Sequence, residues 1–558
     1  MNILRNTFIN KYIHAIREKA GISILPALVF SIFFYIPIIL FSIKCNNCDS
    51  IIDILKIIIE FCILFFNIFF LYFIIAWNNL LYHVIICVTY ACGGLSTYFL
   101  INYKIILDYD IIENWYYNGV TSISNLIYTG QSIIISIMFI IIAIFITRKS
   151  RDLYHSNREI YFSYYFKKSK SFDFINIVAN ILCIFWFLPM NDKISTQYVP
   201  FNIIKYGFNS IYESNRNYFL SKIDISKHYQ FIFHKTNQQI TIILVIGNSL
   251  VSNAMSINNP DIVNNTPLLK KLDNLISFTN NYLPYNNNNL AFSSVMFRRL
   301  FFGKEPDKYH ETSIISVMKS IGFKTTVLSS YPKDVHHKFS DIFLEADVLI
   351  YKNDIENKIS KQDKYCNDHN LIELLRKVIN KNDNNFIILH TVGNTWPYHE
   401  RYSKDLKIFS PDCSSSVPSN CSFSEIINSY NNSILNTDNL LYNIINEYKS
   451  TTSILFFVSD QGQDNILNNN RYILNNDNNM PLLKFDEKYM WMINNNEMMV
   501  WFSKKFSENY KNNTYYILNK RHKLITIGDI FHSILGCIDV KSDIIDQRFN
   551  LCSSHDHY

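Results

Sequence analysis

The chain has 558 residues, a formal net charge of +6, and 49% hydrophobic and 15% aromatic residues. That length allows two or three domains. Lys and Arg form no long basic stripe, which excludes a nucleic-acid binder. Apolar residues crowd the first third and give way to Asn-rich polar stretches, so the chain is built for two solvents.

A bilayer core about 30 Å thick needs roughly 20 apolar residues of helix to cross it. Five runs meet or approach that length: 23–43, 57–77, 81–101, 132–147 and 173–190. A buried helix of a soluble protein is the competing reading, most of all for the two shorter runs. The first run exceeds a signal-peptide core and lacks a small-residue cleavage site. Positive residues stay on the cytoplasmic side. Arg5, Lys11, Arg17 and Lys19 precede the first run, and Arg148, Lys149, Arg151, Arg158, Lys167, Lys168 and Lys170 lie between the fourth and fifth, against Lys44 and, at the very edge of the second run, Lys56 between the first and second. An inside N-terminus and five crossings put everything after about residue 190 outside, in the periplasm of a Gram-negative cell.

The expected domains are a transmembrane helical domain (1–190), an amphipathic linker (191–235) and a soluble domain (236–558). The linker contains FNIIKYGFNSIYESNRNYFL (201–220), a pattern suited to a membrane surface. Strand-length apolar runs then recur at 240–247, 324–330, 348–351, 385–390, 453–460 and 498–503, separated by helical or loop segments. Continuous apolar strands alternating with helices predict a largely parallel sheet covered on both faces, an α/β domain.

Of 11 cysteines, Cys62, Cys87, Cys92 and Cys183 fall in the spans and read as packing residues. Cys413 and Cys421 bracket a polar loop and read as a disulfide on the oxidising side. Cys45 and Cys48 form a lone C-x-x-C, a weak metal or redox signal. In such sheets ligands bind beyond the carboxyl ends of the strands, here Gly247–Ser249, His390–Gly393 and Ser459–Gly462. Asp460 is the strongest single candidate, since a carboxylate there can hold a cation, although taken alone an Asx turn or helix N-cap at the strand exit is the commoner reason for such a residue. His390 and His532 read as packed, hydrogen-bonded histidines, and the terminal His555–Tyr558 as a chain end.

Read together, these segments resemble the phosphoethanolamine transferases, membrane-anchored members of the alkaline phosphatase and sulfatase superfamily. The likeness covers nearly the whole chain. It rests on 103–118 between the third and fourth helices, and on VIGNSLVSNAMSINN (245–259), ILHTVGNTWPYHERY (388–402), CSFSEIINSYNNSILNTDNLL (421–441), FFVSDQGQ (456–463) and ITIGDIFHSILGCIDV (525–540). The resemblance implies a monomer with zinc as cofactor. It also implies transfer of phosphoethanolamine from phosphatidylethanolamine to lipid A, lipopolysaccharide core or another envelope glycan, through a metal-activated hydroxyl.

Carried over residue by residue, the family's zinc-binding Glu falls on Asn248, and its Asp-His-Gly-Glu motif reads Asp460, Gln461, Gly462 and Gln463. The nucleophilic Thr falls on Ala291, with Ser293 and Ser294 as substitutes close by. Two outer-site histidines fall on Thr395 and Asn478. Two readings stay open: a transferase by descent, and a catalytically eroded member that keeps the fold to bind lipid or partners. Nothing resembles the Cys nucleophile motif of true sulfatases.

Overall fold

A computed structural model describes residues 2–37, 51–103, 130–155, 230–233, 238–282, 292, 294–297, 312–331, 340–351, 368–379, 382–459 and 496–555. The chain divides into two compact units, residues 1–115 with 121–212, and residues 116–120 with 213–558.

The first unit begins with α1 (Asn2–Phe30), which runs into a π-helical turn over Ser31–Tyr35, followed by α2 (Ile51–Ile75), α3 (Asn79–Tyr103) and α4 (Gly130–His155). Helices therefore occupy the first four expected spans as far as the described residues reach. Two stretches, Ile16–Tyr35 and Asn79–Ile101, are long and apolar enough to cross a membrane, and Phe61–Ile75 is a shorter apolar helix. The fifth expected span, the 201–220 stretch and residues 104–118 lie outside the described residues.

Pro26 sits inside α1 and has no N–H to give the carbonyl of Ile22. That carbonyl instead accepts from the Tyr82 hydroxyl of α3 at 3.0 Å and from Ser150 Oγ of α4 at 2.7 Å. The Pro26 carbonyl takes the Tyr90 hydroxyl at 2.7 Å. A buried carbonyl left without a donor costs about 1–3 kcal/mol, so the two hydroxyls on Ile22 make good the proline break, and with Tyr90 they tie α1, α3 and α4 together. Gly93 completes the fit, because a Cβ there would stand 2.7 Å from the Phe34 ring.

The second unit holds β1 (Ile240–Gly247), β2 (Leu275–Ser277), β3 (Asn281–Tyr282), α5 (Ile314–Ser320), β4 (Lys324–Ser329), α6 (Ser340–Phe343), β5 (Val348–Ile350), α7 (Asn370–Val378) and β6 (Asn385–His390). It continues with α8 (Phe423–Tyr448), β7 (Thr452–Ser459), β8 (Met498–Phe502), α9 (Lys504–Asn509), α10 (Lys511–Asn519), β9 (Ile525–Thr526) and α11 (Asp529–Gly536). Seven strands form one sheet in the order β2-β8-β7-β1-β6-β4-β5, and β3 pairs with β9 in a second. In the large sheet β1, β4, β5, β6 and β7 run parallel, whereas β8 is antiparallel to β7 and to β2. The sheet is thus mixed and mostly parallel. The expected parallel direction holds for all but β8, whose reversal was not legible, since a continuous apolar run reads the same either way.

Alternate residues of each strand enter opposite layers. Ile242, Leu244 and Ile246 of β1 join Phe386, Phe456, Val500 and Phe531 on one face. Ile243 and Val245 join Leu389, Leu455, Phe457 and the inner side of α8 on the other. A capping box starts α8: Ser422 Oγ accepts from the Glu425 N–H at 3.3 Å, and the Glu425 carboxylate accepts from the Ser422 N–H at 2.6 Å.

Candidate active site

Parallel register brings the strand ends to one edge. Ile246 pairs with His390, Gly247 with Ser459 and Ser329 with His390, so the last residues of β1, β4, β6 and β7 meet there, together with those that follow β1, β4 and β6. The β1 exit is held from several sides. Ser249 adopts a positive φ of 58°. Its carbonyl accepts from the Tyr430 hydroxyl of α8 at 2.8 Å, and Ser459 Oγ accepts from the Leu250 N–H at 3.0 Å.

The β6 exit loop lies directly on Asn248. The Asn394 N–H donates to the Asn248 carbonyl at 2.8 Å. Gly393 has φ +62°, and a Cβ there would lie 2.6 Å from the Asn248 backbone nitrogen. Only glycine combines that dihedral with that approach. The loop is itself clamped by Asp368, whose carboxylate accepts the N–H groups of Val392 and Gly393, each at 3.0 Å. Asn394 is fixed to α8 through Ser433 and Thr437.

The Asn248 side chain is engaged. Its Nδ2 donates to the Tyr331 hydroxyl at 3.1 Å, and its Oδ1 accepts from Ser249 Oγ at 3.0 Å. Tyr331 stacks on the His390 ring at 4.7 Å, and Phe292 approaches the same ring at 5.8 Å. His390 Nδ1 hydrogen-bonds with Ser329 Oγ at 3.1 Å. The packed reading of His390 therefore holds. So does that of His532, which is buried and accepts the Asp546 N–H on Nδ1.

The expected nucleophile segment thus reaches the Asn248 edge through Phe292. Ser294 is fully buried; Ala291 and Ser293 lie outside the described residues, as do Asp460, Gln461, Gln463 and Asn478. Thr395 Oγ1 donates back to the Val392 carbonyl at 3.3 Å, and its own carbonyl accepts Arg401 Nε at 2.9 Å. Cys413 and Cys421 form a disulfide. A second bridge, Cys537–Cys552, had no signal in the sequence beyond its two cysteines.

Two buried carboxyls also escaped the sequence reading: Glu497 belongs to no motif, and Asp438, although inside the 421–441 segment, carries no local sign of its burial. Glu497 precedes β8, is fully buried, and accepts from Ser277 Oγ at 2.6 Å and Asn258 Nδ2 at 2.9 Å. Burial pushes its carboxyl up to about 8 against these hydrogen bonds. Asp438 of α8 accepts the Leu268 and Leu269 N–H groups, and burial raises it to about 6.

Zinc favours thiolate, imidazole and carboxylate ligands. Among the described residues this edge offers the Asn248 amide, serine, threonine and tyrosine hydroxyls, the Asp368 carboxylate already bonded to two backbone N–H groups, and one imidazole already bonded to Ser329. No group of three or more His, Cys, Asp or Glu gathers anywhere among the described residues. The described donors alone do not fit zinc.

A family model described as Sulfatase matches residues 240–540. Among curated proteins, the Kdo(2)-lipid A phosphoethanolamine 7''-transferase of Salmonella typhimurium is 23% identical over 377 residues, covering 64% of this chain and 63% of that protein. The chain thus spans somewhat under two thirds of the length of such relatives. The phosphoethanolamine transferase EptA of Helicobacter pylori is 35% identical over 98 residues, 17% of this chain and 18% of that protein. Among solved structures, the integral membrane protein lipooligosaccharide phosphoethanolamine transferase A of Neisseria meningitidis superposes with a TM-score of 0.70 at 17% identity, covering 96% of this chain and 98% of that one. That likeness is one of fold.

Proposed function

We propose, on the premise that this chain belongs to the sulfatase family by its match over residues 240–540, that it is a membrane-anchored phosphoethanolamine transferase. Its donor is phosphatidylethanolamine, and its acceptor is lipid A, lipopolysaccharide core or another envelope glycan. The observation that carries this reading is the strand edge. The β1, β4, β6 and β7 exits, where α/β sheets bind ligands, are gathered at Asn248, Tyr331, His390 and Ser459, inside the segment the family match covers. Relatives named for this transfer, including one named for lipid A, supply the substrate class.

In this reading residues 1–190 cross the inner membrane five times from a cytoplasmic N-terminus. Residues 191–235 form an amphipathic linker, and 236–558 work as a monomer in the periplasm. Ser293 or Ser294 supplies the hydroxyl that the Ala291 position lacks. No step is assigned to a metal, since the described donors alone do not fit one. The test is expression in a Gram-negative host without its own such transferases, followed by mass spectrometry of lipid A. A phosphoethanolamine adduct lost in the Ser293→Ala/Ser294→Ala double variant is the expected result, and unmodified lipid A and core with well-expressed protein refute it.

A specific observation favours a second reading, an eroded centre that keeps the fold to bind lipid. The Asn248 amide is tied to Tyr331 and Ser249 at the position where the family places a zinc-binding Glu. Elemental analysis of the purified chain separates the two. Stoichiometric zinc refutes erosion, whereas metal-free protein that leaves lipid A unmodified supports it.

A further inference from the structure

Two short helices near the C-terminus have one face in the core and one in solvent. Ser503 caps α9 by accepting the Phe506 N–H at 3.1 Å, and Phe506 stacks on Tyr510 at 4.7 Å. Asn513, Thr514 and Ile517 of α10 are buried, and Asn513 Nδ2 donates to the Cys537 carbonyl at 3.0 Å. The inner side is therefore fixed. On the outer side Lys511, Tyr515 and Leu518 follow at the i, i+4, i+7 spacing of one helix face. Tyr515 is 63% and Leu518 49% exposed, so a ring and a branched alkyl group stand in water next to each other.

The exposed charges around them are mostly positive: Lys504 and Lys505 before the stripe, Arg521 and Lys523 after it, against Glu508 of α9 and Asp539, which accepts from Asn513 of α10. An apolar pair framed by an excess of cations is the pattern of a surface that lies in a lipid headgroup layer. Each Lys or Arg near an anionic bilayer adds attraction of its own, while Tyr and Leu enter the acyl boundary. A protein partner would gain less from five cations facing two acids.

We propose that this Lys511–Tyr515–Leu518 face docks on an anionic phospholipid surface, the bilayer that the chain's own apolar helices enter. The inference rests on the membrane placement proposed above and is independent of any transferase activity.

The test uses the full chain in nanodiscs of phosphatidylethanolamine with either phosphatidylglycerol or phosphatidylcholine. An environment-sensitive fluorophore is placed at Leu518→Cys or, as a second site in case the first variant misfolds, at Tyr515→Cys. The parent chain corrects for labelling of its own cysteines, and Leu344→Cys, exposed elsewhere on the unit, serves as the reference. Doxyl-labelled lipid is expected to quench the labels at 515 and 518, but not at 344, in phosphatidylglycerol discs. Neutralising Lys504, Lys505 and Lys511 to Gln should weaken docking about fivefold per lysine. Equal quenching at 344 and 518, or no quenching in either lipid, overturns the proposal. Shielding of 518 that ignores lipid charge but follows protein concentration overturns it in favour of a contact between two copies.

Discussion

At the residue scale, one buried acid makes the stability of the soluble unit depend on pH. Glu497 stands at about 8 in the folded unit against an ordinary 4.5. An acid raised on folding lends its full share of stability below the unfolded value and loses it as pH climbs to the folded one. Asp438, raised to about 6, adds a smaller loss of the same sign at lower pH. The unit is therefore expected to melt at lower temperature as pH rises from 5 to 8. Glu497→Gln should remove most of that slope, because Gln still accepts from Ser277 and Asn258 can turn its amide. The gain at pH 8 should be on the order of a few °C, with little change at pH 5. Circular-dichroism melts across that range check it, and a flat parental profile would contradict the assignment. Gly393 is the second sensitive residue. Alanine there must hold φ +62° and press its Cβ on the Asn248 backbone, so Gly393→Ala should cost about 1–3 kcal/mol from the dihedral alone, read as a shifted urea midpoint.

At the element scale, every strand that positions the edge was legible as an apolar run, because a strand buried on both faces is apolar at every position. Strands β2, β3 and β9 were not, being two or three residues long and outside any such run. The site was half legible. Asn248, His390 and Thr395 end or follow strands that the sequence marks. Asp368 and Tyr331 come to the edge from segments whose local pattern says nothing of where they end. The disulfides behave similarly: Cys413 and Cys421 advertise themselves by bracketing a short polar loop, whereas Cys537 and Cys552 are joined only when the chain folds back after α11. Opening the 15-residue loop by Cys537→Ser/Cys552→Ser should cost about 3 kcal/mol, and opening the shorter Cys413–Cys421 loop slightly less. Urea unfolding of the detergent-solubilised chain measures both.

At the scale of the whole molecule, the two disulfides point the same way as the positive charges of the N-terminal loops. Such bridges persist where thiols are not kept reduced, and in the proposed topology the asymmetry of Lys and Arg sends the C-terminal unit to that side. A reporter active only outside the cytoplasm, fused after Tyr558, is expected to be active, and a fluorescent protein that matures only inside is expected to stay dark. The reverse pair of results would overturn the topology and the envelope substrates with it. Chain order alone determined that there are two solvents, a membrane third and an α/β remainder, because hydrophobic run length and strand patterning are local properties. It also set an amide, Asn248, where the resemblance implies a metal-binding carboxylate, since that is a matter of residue identity. Tertiary structure decided the surroundings: Asn248 is bonded to Tyr331, Gly393 lies on its backbone, and Glu497 is buried among hydroxyls and amides. Each of these contacts joins residues tens to hundreds of positions apart, fixed by strand register and helix packing that no local pattern encodes.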